Sequence, residues 1–422
     1  MLSQNKMFGN TLKVAWFLGF RQVRHASIWT TVLIIFVMML TFMNLVVVTG
    51  ILVGLIEGSV KAYRDQYTGD VLITTPTGEE FIERSNELLS ILGTLPSVAG
   101  YSTRYTEGGT IEANYRTRRD PQELRDLVSS RVAGIDPVRE DAVTGLARFV
   151  VEGEYLAPGD DGYIMVGANL LAQYAPDFGE GFDTLQDVYP GTRVRVKVGD
   201  KSREYLVKGI IDSKVDETSR RIFMTESDFL RFVGRTSLNV NEVAIVAKPG
   251  TDPQLIKSGL VGSGVGEYSV VRLSREGLPQ ALDDIISTFR FLGNIISSIG
   301  LVVASITVFI VVFVNAITRR KYIGILKGIG IDAFAIELSY VFQSLFYALV
   351  GSAIAITLIY GVLVPWFSAH PLDFPFSDGI LVAPVLGTVI RLLILIIATI
   401  IAGFIPAWLI IKKNTLDSIL GR

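Results

Sequence analysis

The chain has 422 residues, of which 50% are hydrophobic and 19% are charged, and its mean hydropathy is +0.44. This composition excludes disordered, collagen-like and disulfide-scaffold proteins, and the bunching of the apolar residues argues against a soluble enzyme. The sequence has no cysteine and two histidines, which excludes thiolate metal sites, iron–sulfur clusters and cysteine nucleophiles and leaves little room for imidazole chemistry.

Four apolar blocks follow one another along the chain. Each is long enough to cross a bilayer, for which a helix needs about 20 apolar residues. The first block is too long for a cleaved signal peptide, and no small-residue cleavage site precedes the polar region behind it. We therefore predict four transmembrane helices, at residues 28–56, 285–318, 335–366 and 380–411.

The basic residues predict the orientation of these spans. Outside residues 57–284 the sequence has 13 Lys or Arg, and 11 of them lie before the first span, between the second and third, or after the fourth. By the positive-inside rule, residues 1–27, 319–334 and 412–422 face the cytoplasm. The segment 57–284 and the 367–379 loop therefore lie outside, and both termini are cytoplasmic.

The large outer segment is predicted to be a folded domain. Strand patterns recur among turn signals at Asp70–Thr74, Arg193–Val198 and Tyr205–Ile211. Helical patterns that end at a glycine occur at Glu79–Leu92 and Glu226–Val233. Strand-rich runs around separate helices favour an α+β domain. The predicted fold class is an α-helical membrane protein with four transmembrane helices and a large extracytoplasmic α+β domain inserted between helices 1 and 2.

The segment before the first span has the pattern of an interfacial helix. Within Thr11–Arg24, one helical face carries Leu12, Trp16, Phe20 and Val23, and the basic residues lie elsewhere. Such a helix lies along the cytoplasmic membrane interface. The alternative is that the segment is the frayed start of the first span.

No catalytic site is predicted in this chain. A phosphate-binding loop needs Gly-Lys before Ser or Thr, and this dipeptide does not occur. His25 is predicted to be cytoplasmic and His370 to lie in a short outer loop, so a histidine triad in the outer domain is excluded. We expect no catalytic residue, no metal site, no cofactor and no nucleic-acid partner.

Three polar residues fall inside the predicted spans. Arg391 lies about 11 residues into the fourth span, and it either pairs across the bundle or extends outward past Gly387. Asn44 lies in the middle of the first span, where we expect it to bond between helices. Glu337 lies just inside the third span, near the cytoplasmic interface.

Two segments resemble a known family. Ile317–Gly330 has a basic run followed by Gly-Ile-Leu-Lys-Gly-Ile-Gly, which resembles the signature of ABC-transporter permeases of the MacB/LolC–LolE/FtsX type. Pro406–Leu420 resembles the closing pattern of the family, with Asn414 and Thr415 in place of the usual Asp-Pro. The order of one span, a large outer domain and three spans fits this family along the whole chain.

The resemblance implies a permease in the bacterial inner membrane, driven by two copies of a cytoplasmic ABC ATPase that binds ATP and Mg. It also implies a second permease chain, identical or different, and a periplasmic adaptor, lipoprotein carrier or hydrolase as a further partner. The expected cargo is a lipoprotein, amphiphile, peptide or drug. The alternative is an FtsX-like mechanotransmitter that activates a cell-wall hydrolase. The length of the outer domain favours transport.

The 319–334 segment is the predicted contact with the ATPase. It carries apolar side chains between charges where the chain leaves the membrane, which is typical of a protein contact. Its glycines allow close approach and a tight reversal. The predicted coupling residues are Arg319, Arg320, Tyr322, Gly324, Ile325, Leu326, Lys327 and Gly330. The alternative is that they form only the lower ends of two spans. At the other side, Leu55–Arg64 and Pro279–Arg290 are expected to extend the first two spans as helical stalks.

Overall fold

The computed structural model describes residues 2–116, 125–174, 183–370, 373–374, 377–378 and 381–412. The chain divides into two compact units. One contains the four long apolar helices, and the other is formed mainly by Glu57–Asp283. The predicted fold class, four apolar helices with an α+β domain between the first and the second, is confirmed.

The elements of the described chain are numbered in sequence order. The α-helices are α1 (Leu2–Arg24), α2 (Ile28–Tyr63), α3 (Ser85–Thr94), α4 (Pro137–Thr144), α5 (Asp216–Ser219), α6 (Glu226–Val233), α7 (Pro253–Gly262), α8 (Gln280–Thr318), α9 (Arg320–Gly328), α10 (Ala333–Leu358), α11 (Val364–Ala369) and α12 (Val385–Ile411). The strands are β1 (Val71–Thr74), β2 (Val98–Glu112), β3 (Leu127–Ile135), β4 (Val150–Gly153), β5 (Tyr163–Gly167), β6 (Arg193–Val198), β7 (Lys201–Ile211), β8 (Arg221–Thr225), β9 (Glu242–Ala247), β10 (Val270–Leu273), β11 (Asp373–Phe374) and β12 (Ser377–Asp378).

Four helices, α2, α8, α10 and α12, are long and apolar enough to span a bilayer. The expected extension of the first two spans is confirmed, because α2 runs on to Tyr63 and α8 begins at Gln280. α10 continues through a π-helical turn into α11, where Pro365 lacks the N–H that a regular helix needs. α12 begins at Val385 and not at residue 380, because Pro384 occupies its N-cap in an extended conformation.

Small residues bring the apolar helices close together. A Cβ atom at Gly351 of α10 would lie 3.0 Å from the Ile35 carbonyl oxygen of α2. A Cβ atom at Gly403 of α12 would lie 2.4 Å from the Ser344 hydroxyl oxygen of α10. Close backbone approach at small residues is the usual way in which membrane helices pack. These two glycines therefore set the spacing of α10 against α2 and α12.

α1 is a helix of its own and not the frayed start of the first span. Residues 25–27 separate it from α2, Ala15 is buried, and a Cβ atom at Gly19 would lie 2.9 Å from the Ser339 carbonyl oxygen of α10. The expected apolar face points outward, because Trp16 and Phe20 are 61% and 58% exposed. That this face lies in the membrane interface remains a prediction.

The second unit is built on one mixed sheet in the order β10-β1-β9-β2-β3-β8-β5-β7-β4, with β6 paired to β2 and β7. The pairs β3–β8 and β5–β7 are parallel, and the other pairs are antiparallel. Side chains alternate between the two faces of β3: Val132 belongs to the large core on one face, and Ala133 and Ile135 to a smaller core on the other. The sheet is thus buried on both faces.

One of the two helices predicted in this unit begins later than expected. Glu79–Leu92 was predicted as a helix, but α3 starts at Ser85 after Arg84, which has a φ of 50°. The preceding turn is held by tertiary contacts, since the buried Ile82 donates its N–H to the Val240 carbonyl at 2.9 Å. The helix predicted at Glu226–Val233 is confirmed as α6, which Gly234 ends in a left-handed conformation.

Candidate functional site

The predicted coupling segment folds into α9, a nine-residue helix between α8 and α10. It ends in a Schellman motif: Ile331 N–H donates to the Leu326 carbonyl and Gly330 N–H to the Lys327 carbonyl, both at 3.0 Å. Gly330 has a φ of 90°, which a residue with a Cβ atom adopts at a cost. Asp332 then caps α10 by accepting from Phe334 N–H. The reversal between the two helices is therefore defined by backbone geometry.

α9 has one buried face and one outward face. Ile323 and Gly324 are buried against the helix bundle, and Leu326 is half-buried. An outward triad is formed by Tyr322, Ile325 and Ile329, which are 69%, 51% and 70% exposed. The predicted set thus separates into residues that point outward and residues that hold α9 in place. Ile329, a further apolar residue of the predicted coupling segment, belongs to the outward triad as well.

The basic residues of the segment connect α9 to neighbouring helices. Lys327 Nζ donates to the Ile411 carbonyl in the last turn of α12 at 2.8 Å. Arg319, which precedes α9, donates from Nη2 to the His25 carbonyl at 3.5 Å. Arg320 is the first residue of α9. Because carbonyls at a helix C-terminus lack partners within the helix, the Lys327 contact both satisfies α12 and attaches α9 to it.

The three polar residues predicted inside the spans occupy different environments. The Arg391 guanidinium lies beside Gly387, where a Cβ atom would be 2.7 Å from Nη1, so the side chain extends back toward the start of α12. Asn44 Oδ1 lies against Gly300 of α8, 2.9 Å from a Cβ placed there. Glu337 is only 8% exposed and faces protein. The roles of all three remain predictions.

A buried ion network lies in the second unit, and the sequence analysis missed it. Arg104 on β2 bonds to Glu140 of α4, with Nη2 2.7 Å from Oε1, and to Glu242 at the start of β9 at 3.3 Å. Arg221 on β8 bonds to the same Glu242 at 3.0 Å. All four side chains are at most 6% exposed. Burial raises the pKa of Glu242, but Arg221 and Arg104 outweigh it and lower that pKa to about 2.

This network holds the end of α2. Tyr67, in the π-helical turn that continues α2, accepts a bond on its carbonyl oxygen from Arg104 Nη2 at 2.6 Å. Its ring lies beside both guanidinium groups, 4.8 Å from that of Arg104 and 5.1 Å from that of Arg221. Its hydroxyl donates to Glu242 at 3.2 Å. Tyr67 thus contacts charged residues of three strands: Arg104 of β2, Arg221 of β8 and Glu242 of β9.

Further polar contacts fix the same turn on its other sides. Gln66 Oε1 accepts from the Ser213 hydroxyl at 2.8 Å and from Lys214 N–H at 3.0 Å. The Thr68 hydroxyl donates to the Ser274 hydroxyl at 2.7 Å. Tyr63, one turn earlier, donates to Glu217. The end of α2 is therefore bonded to loops and strands around it and forms part of the folded domain.

Two long apolar helices that flank a folded domain, followed by two more, define a multi-pass membrane protein. Residues 294–415, which contain most of α8 and all of α9, α10, α11 and α12, match the sequence model of the family described as FtsX-like permease C-terminal. The match confirms, for these residues, the resemblance to ABC-transporter permeases of the FtsX type stated from the sequence. No curated protein matches the sequence significantly.

Two solved structures are similar to part of this chain. One is the periplasmic region of MacB from Actinobacillus actinomycetemcomitans, with 14% identity and a TM-score of 0.34, covering 53% of this chain and 94% of that one. The other is the extracellular domain of the noncanonic ABC-type transporter YknZ from Gram-positive bacteria, with 16% identity and a TM-score of 0.30. It covers 48% of this chain and 98% of that one.

Proposed function

We propose that the chain is the permease subunit of an ABC transporter and couples ATP hydrolysis by a separate cytoplasmic ATPase to motion of its outer domain. The motion moves or extracts a lipoprotein, amphiphile, peptide or drug. The observation that carries this proposal is α9, a short and firmly attached helix that presents three apolar side chains outward. The family match of residues 294–415 supports it.

α9 is proposed to be the element on which the ATPase acts. The outward triad of Tyr322, Ile325 and Ile329 would fill an apolar groove of the ATPase, because exposed apolar side chains of this kind mark contact surfaces. The Schellman turn at Gly330 and the bond from Lys327 to Ile411 favour movement of α9 together with α10 and α12. A displacement of α9 by the ATPase would then be transmitted directly to the apolar helices α10 and α12.

α2 is proposed to carry the displacement to the outer domain. The helix is continuous from Ile28 to Tyr63, and the buried network around Tyr67 attaches its end to the sheet. A rotation or shift of this helix must therefore either move the sheet or break charged hydrogen bonds in a buried site. Breaking a buried ion pair costs about 3–5 kcal/mol, so moving the sheet is the easier path.

The proposed assembly contains two permease chains and two ATPase chains in the bacterial inner membrane, with both termini of the permease in the cytoplasm. The basic residues of the 1–27, 319–334 and 412–422 segments support this orientation. ATP and Mg would be bound by the ATPase, and no catalytic residue is assigned in this chain. The cargo would be taken up on the outer side.

The first prediction tests the contact of α9 with the ATPase. Ile325→Asp and Ile329→Asp each place a carboxylate in an apolar contact, where desolvation without a partner opposes binding. We expect each variant to insert normally and to lose the copurifying ATPase or its cargo-stimulated hydrolysis by roughly tenfold or more, since burying one Ile contributes about 1.5–3 kcal/mol.

The matched control is Leu255→Asp, which adds the same charge at a 65% exposed apolar residue of α7. This variant should retain the ATPase and its hydrolysis at the wild-type level. Leu326 is a poorer test site, because it is half-buried against the helix bundle and its replacement perturbs folding as well. Normal copurification and normal hydrolysis in both Ile variants would refute the assignment of α9.

A further inference from the structure

A cavity of about 600 Å³ lies between α1, α9 and α10 on the basic side of the helix bundle. Its apolar wall includes Ile323, Ile336 and Tyr340, which are 3%, 0% and 1% exposed. Leu18 of α1 and Tyr322, Ile325 and Leu326 of α9 complete this wall. The cavity is large enough for a small polar group with an apolar attachment.

The rim of the cavity carries two arginines and a histidine. Arg21 and His25 line it from the last turn of α1 and the residue after it, and Arg319 lines it from the start of the coupling segment. Its described lining contains no carboxylate. Arginine side chains that converge without an acidic partner favour an anion, and phosphate accepts the paired N–H groups of arginine well.

One residue of the cavity lining, Gln22, has a buried acceptor that lacks a donor. Gln22 Nε2 donates to the Ser339 hydroxyl at 3.2 Å, and Gln22 Oε1 is buried with no hydrogen-bond partner in the described chain. A buried acceptor without a donor is unfavourable, so an occupant with a hydroxyl group is favoured. The occupant therefore needs an anion and a hydroxyl donor within one headgroup.

The outward face of α1 provides the third constraint. Trp16, Phe17 and Phe20 are 61%, 61% and 58% exposed, and their helix carries Arg21 and Arg24 in its last turn. Aromatic residues beside basic ones anchor a helix at the level of the lipid headgroups. The mouth of the cavity would then lie at the depth where phosphates of the basic-side leaflet occur.

We propose that the cavity binds the headgroup of an anionic phospholipid of the phosphatidylglycerol type. Its phosphate bonds to Arg21 and Arg319, its glycerol hydroxyl donates to Gln22 Oε1, and its acyl chains stay in the bilayer. Because the lipid contacts both α1 and the α9 segment, its binding stabilises the position of α9. The cavity shares Tyr322 and Ile325 with the outward triad, but the proposal concerns lipid binding, which goes beyond the coupling function and is tested without the ATPase.

The test uses the purified full-length chain in detergent, without ATPase, and measures lipid binding by native mass spectrometry. The probes are dioleoyl-phosphatidylglycerol, dioleoyl-phosphatidylcholine and free glycerol phosphate. We expect phosphatidylglycerol to bind at least tenfold more tightly than either other probe. The double variant Arg21→Gln, Arg319→Gln should weaken its binding by roughly tenfold or more, as expected for loss of charge-assisted hydrogen bonds.

Three further variants separate binding from folding. His25→Glu places a negative charge at an exposed rim position and should also weaken phosphatidylglycerol binding while leaving thermal unfolding unchanged. Lys13→Gln and Arg24→Gln remove exposed charges of α1 that do not line the cavity, and both should bind as the wild type does. Equal binding of both phospholipids to the wild type, or wild-type binding in the double variant and in His25→Glu, would overturn the proposal. Equal affinity for glycerol phosphate would also overturn it, because the site would then recognise a free anion.

Discussion

At the scale of single residues, Glu242 is central to the stability of the outer domain, because its carboxylate is the shared counter-charge of two buried arginines. Arg104 and Arg221 both bond to its carboxylate, and Tyr67 from the end of α2 donates to it. Removing one member of such a group leaves the other charges buried without compensation, which costs more than the pair itself contributes. The network therefore favours one arrangement of α2 on the sheet over loosely docked alternatives.

Glu242→Gln tests this role. We expect it to lower the free energy of unfolding by roughly 3 kcal/mol or more, because the guanidinium groups lose their counter-charge in a buried site. The measurement is urea unfolding of the segment 57–284, which we expect to fold as a soluble domain without metal or disulfide. Arg131→Gln serves as the control: its side chain is 65% exposed and 3.8 Å from Glu242, so a change below about 1 kcal/mol is expected. Equal losses in the two variants would contradict the account.

The lowered pKa of Glu242, about 2 against an ordinary value of 4.5, predicts a dependence of stability on pH. A carboxyl group whose pKa is lower in the folded state stabilises the fold above its unfolded pKa. That contribution is fully present above about pH 4.5 and is lost as the pH falls toward 2. Between these values the wild-type segment should lose stability more steeply than Glu242→Gln, as measured by urea unfolding at each pH. Parallel curves for the two proteins would show that Glu242 does not titrate as described.

At the scale of elements, the stability of α9 depends on the backbone conformation of the turn that ends it at Gly330. Gly328 and Gly330 are two residues apart, and a Cβ atom at either would meet no neighbour within 4 Å. They differ in backbone conformation, since Gly328 is helical and Gly330 has a φ of 90°. Replacing each glycine by alanine adds the same volume, so a comparison of the two variants isolates the effect of backbone strain at the turn.

Gly330→Ala should destabilise the reversal by about 1 kcal/mol, because alanine is strained at that φ. Gly328→Ala should stabilise α9 by a similar amount, about 1 kcal/mol, because alanine favours the helix. Hydrogen exchange of the α9 amides in the full chain measures both effects, with faster exchange in Gly330→Ala and slower exchange in Gly328→Ala. The same change in both variants would argue against a role for the Schellman turn.

Elements also differ in how well the sequence predicts them. α6 is predicted in full, because its cap at Thr225 and its ending at Gly234 are local signals. The start of α3 is not, because Ile82 bonds to Val240, which is far away in sequence. The ion network cannot be predicted from the sequence for the same reason. Arg104 and Glu242 are 138 residues apart, and only the strand order of the sheet brings them together. Its one local signal is a charged residue inside a strand pattern, as at Arg104.

In the coupling segment, too, the sequence predicts the local features but not how the helix packs. Its basic run and glycines identify it from the sequence, and the family match includes it. The division into an outward triad and a buried face depends on how α9 packs, so Leu326 was grouped with Ile325 although only Ile325 is exposed. The attachment of Lys327 to Ile411 requires the arrangement of α12 and has no local signature.

At the scale of the whole molecule, one continuous helix connects the two compact units. α2 begins within the apolar bundle and ends, through the turn of residues 64–68, in the charged network of the sheet. The proposed function requires that an event at α9 changes the position of the outer domain. The most direct test of this requirement measures the distance between the two units while the ATPase hydrolyses ATP.

The chain has no cysteine, so two engineered cysteines give two defined labels. Leu255→Cys marks the outer domain and Val385→Cys marks the start of α12; both positions are more than 60% exposed. Spin-label distances would be recorded in the complex with and without ATP. We predict that ATP shifts the distance distribution in the wild type and that Ile325→Asp abolishes this shift. An unchanged distribution in the wild type, or the same ATP-dependent shift in Ile325→Asp, would contradict coupling through α9.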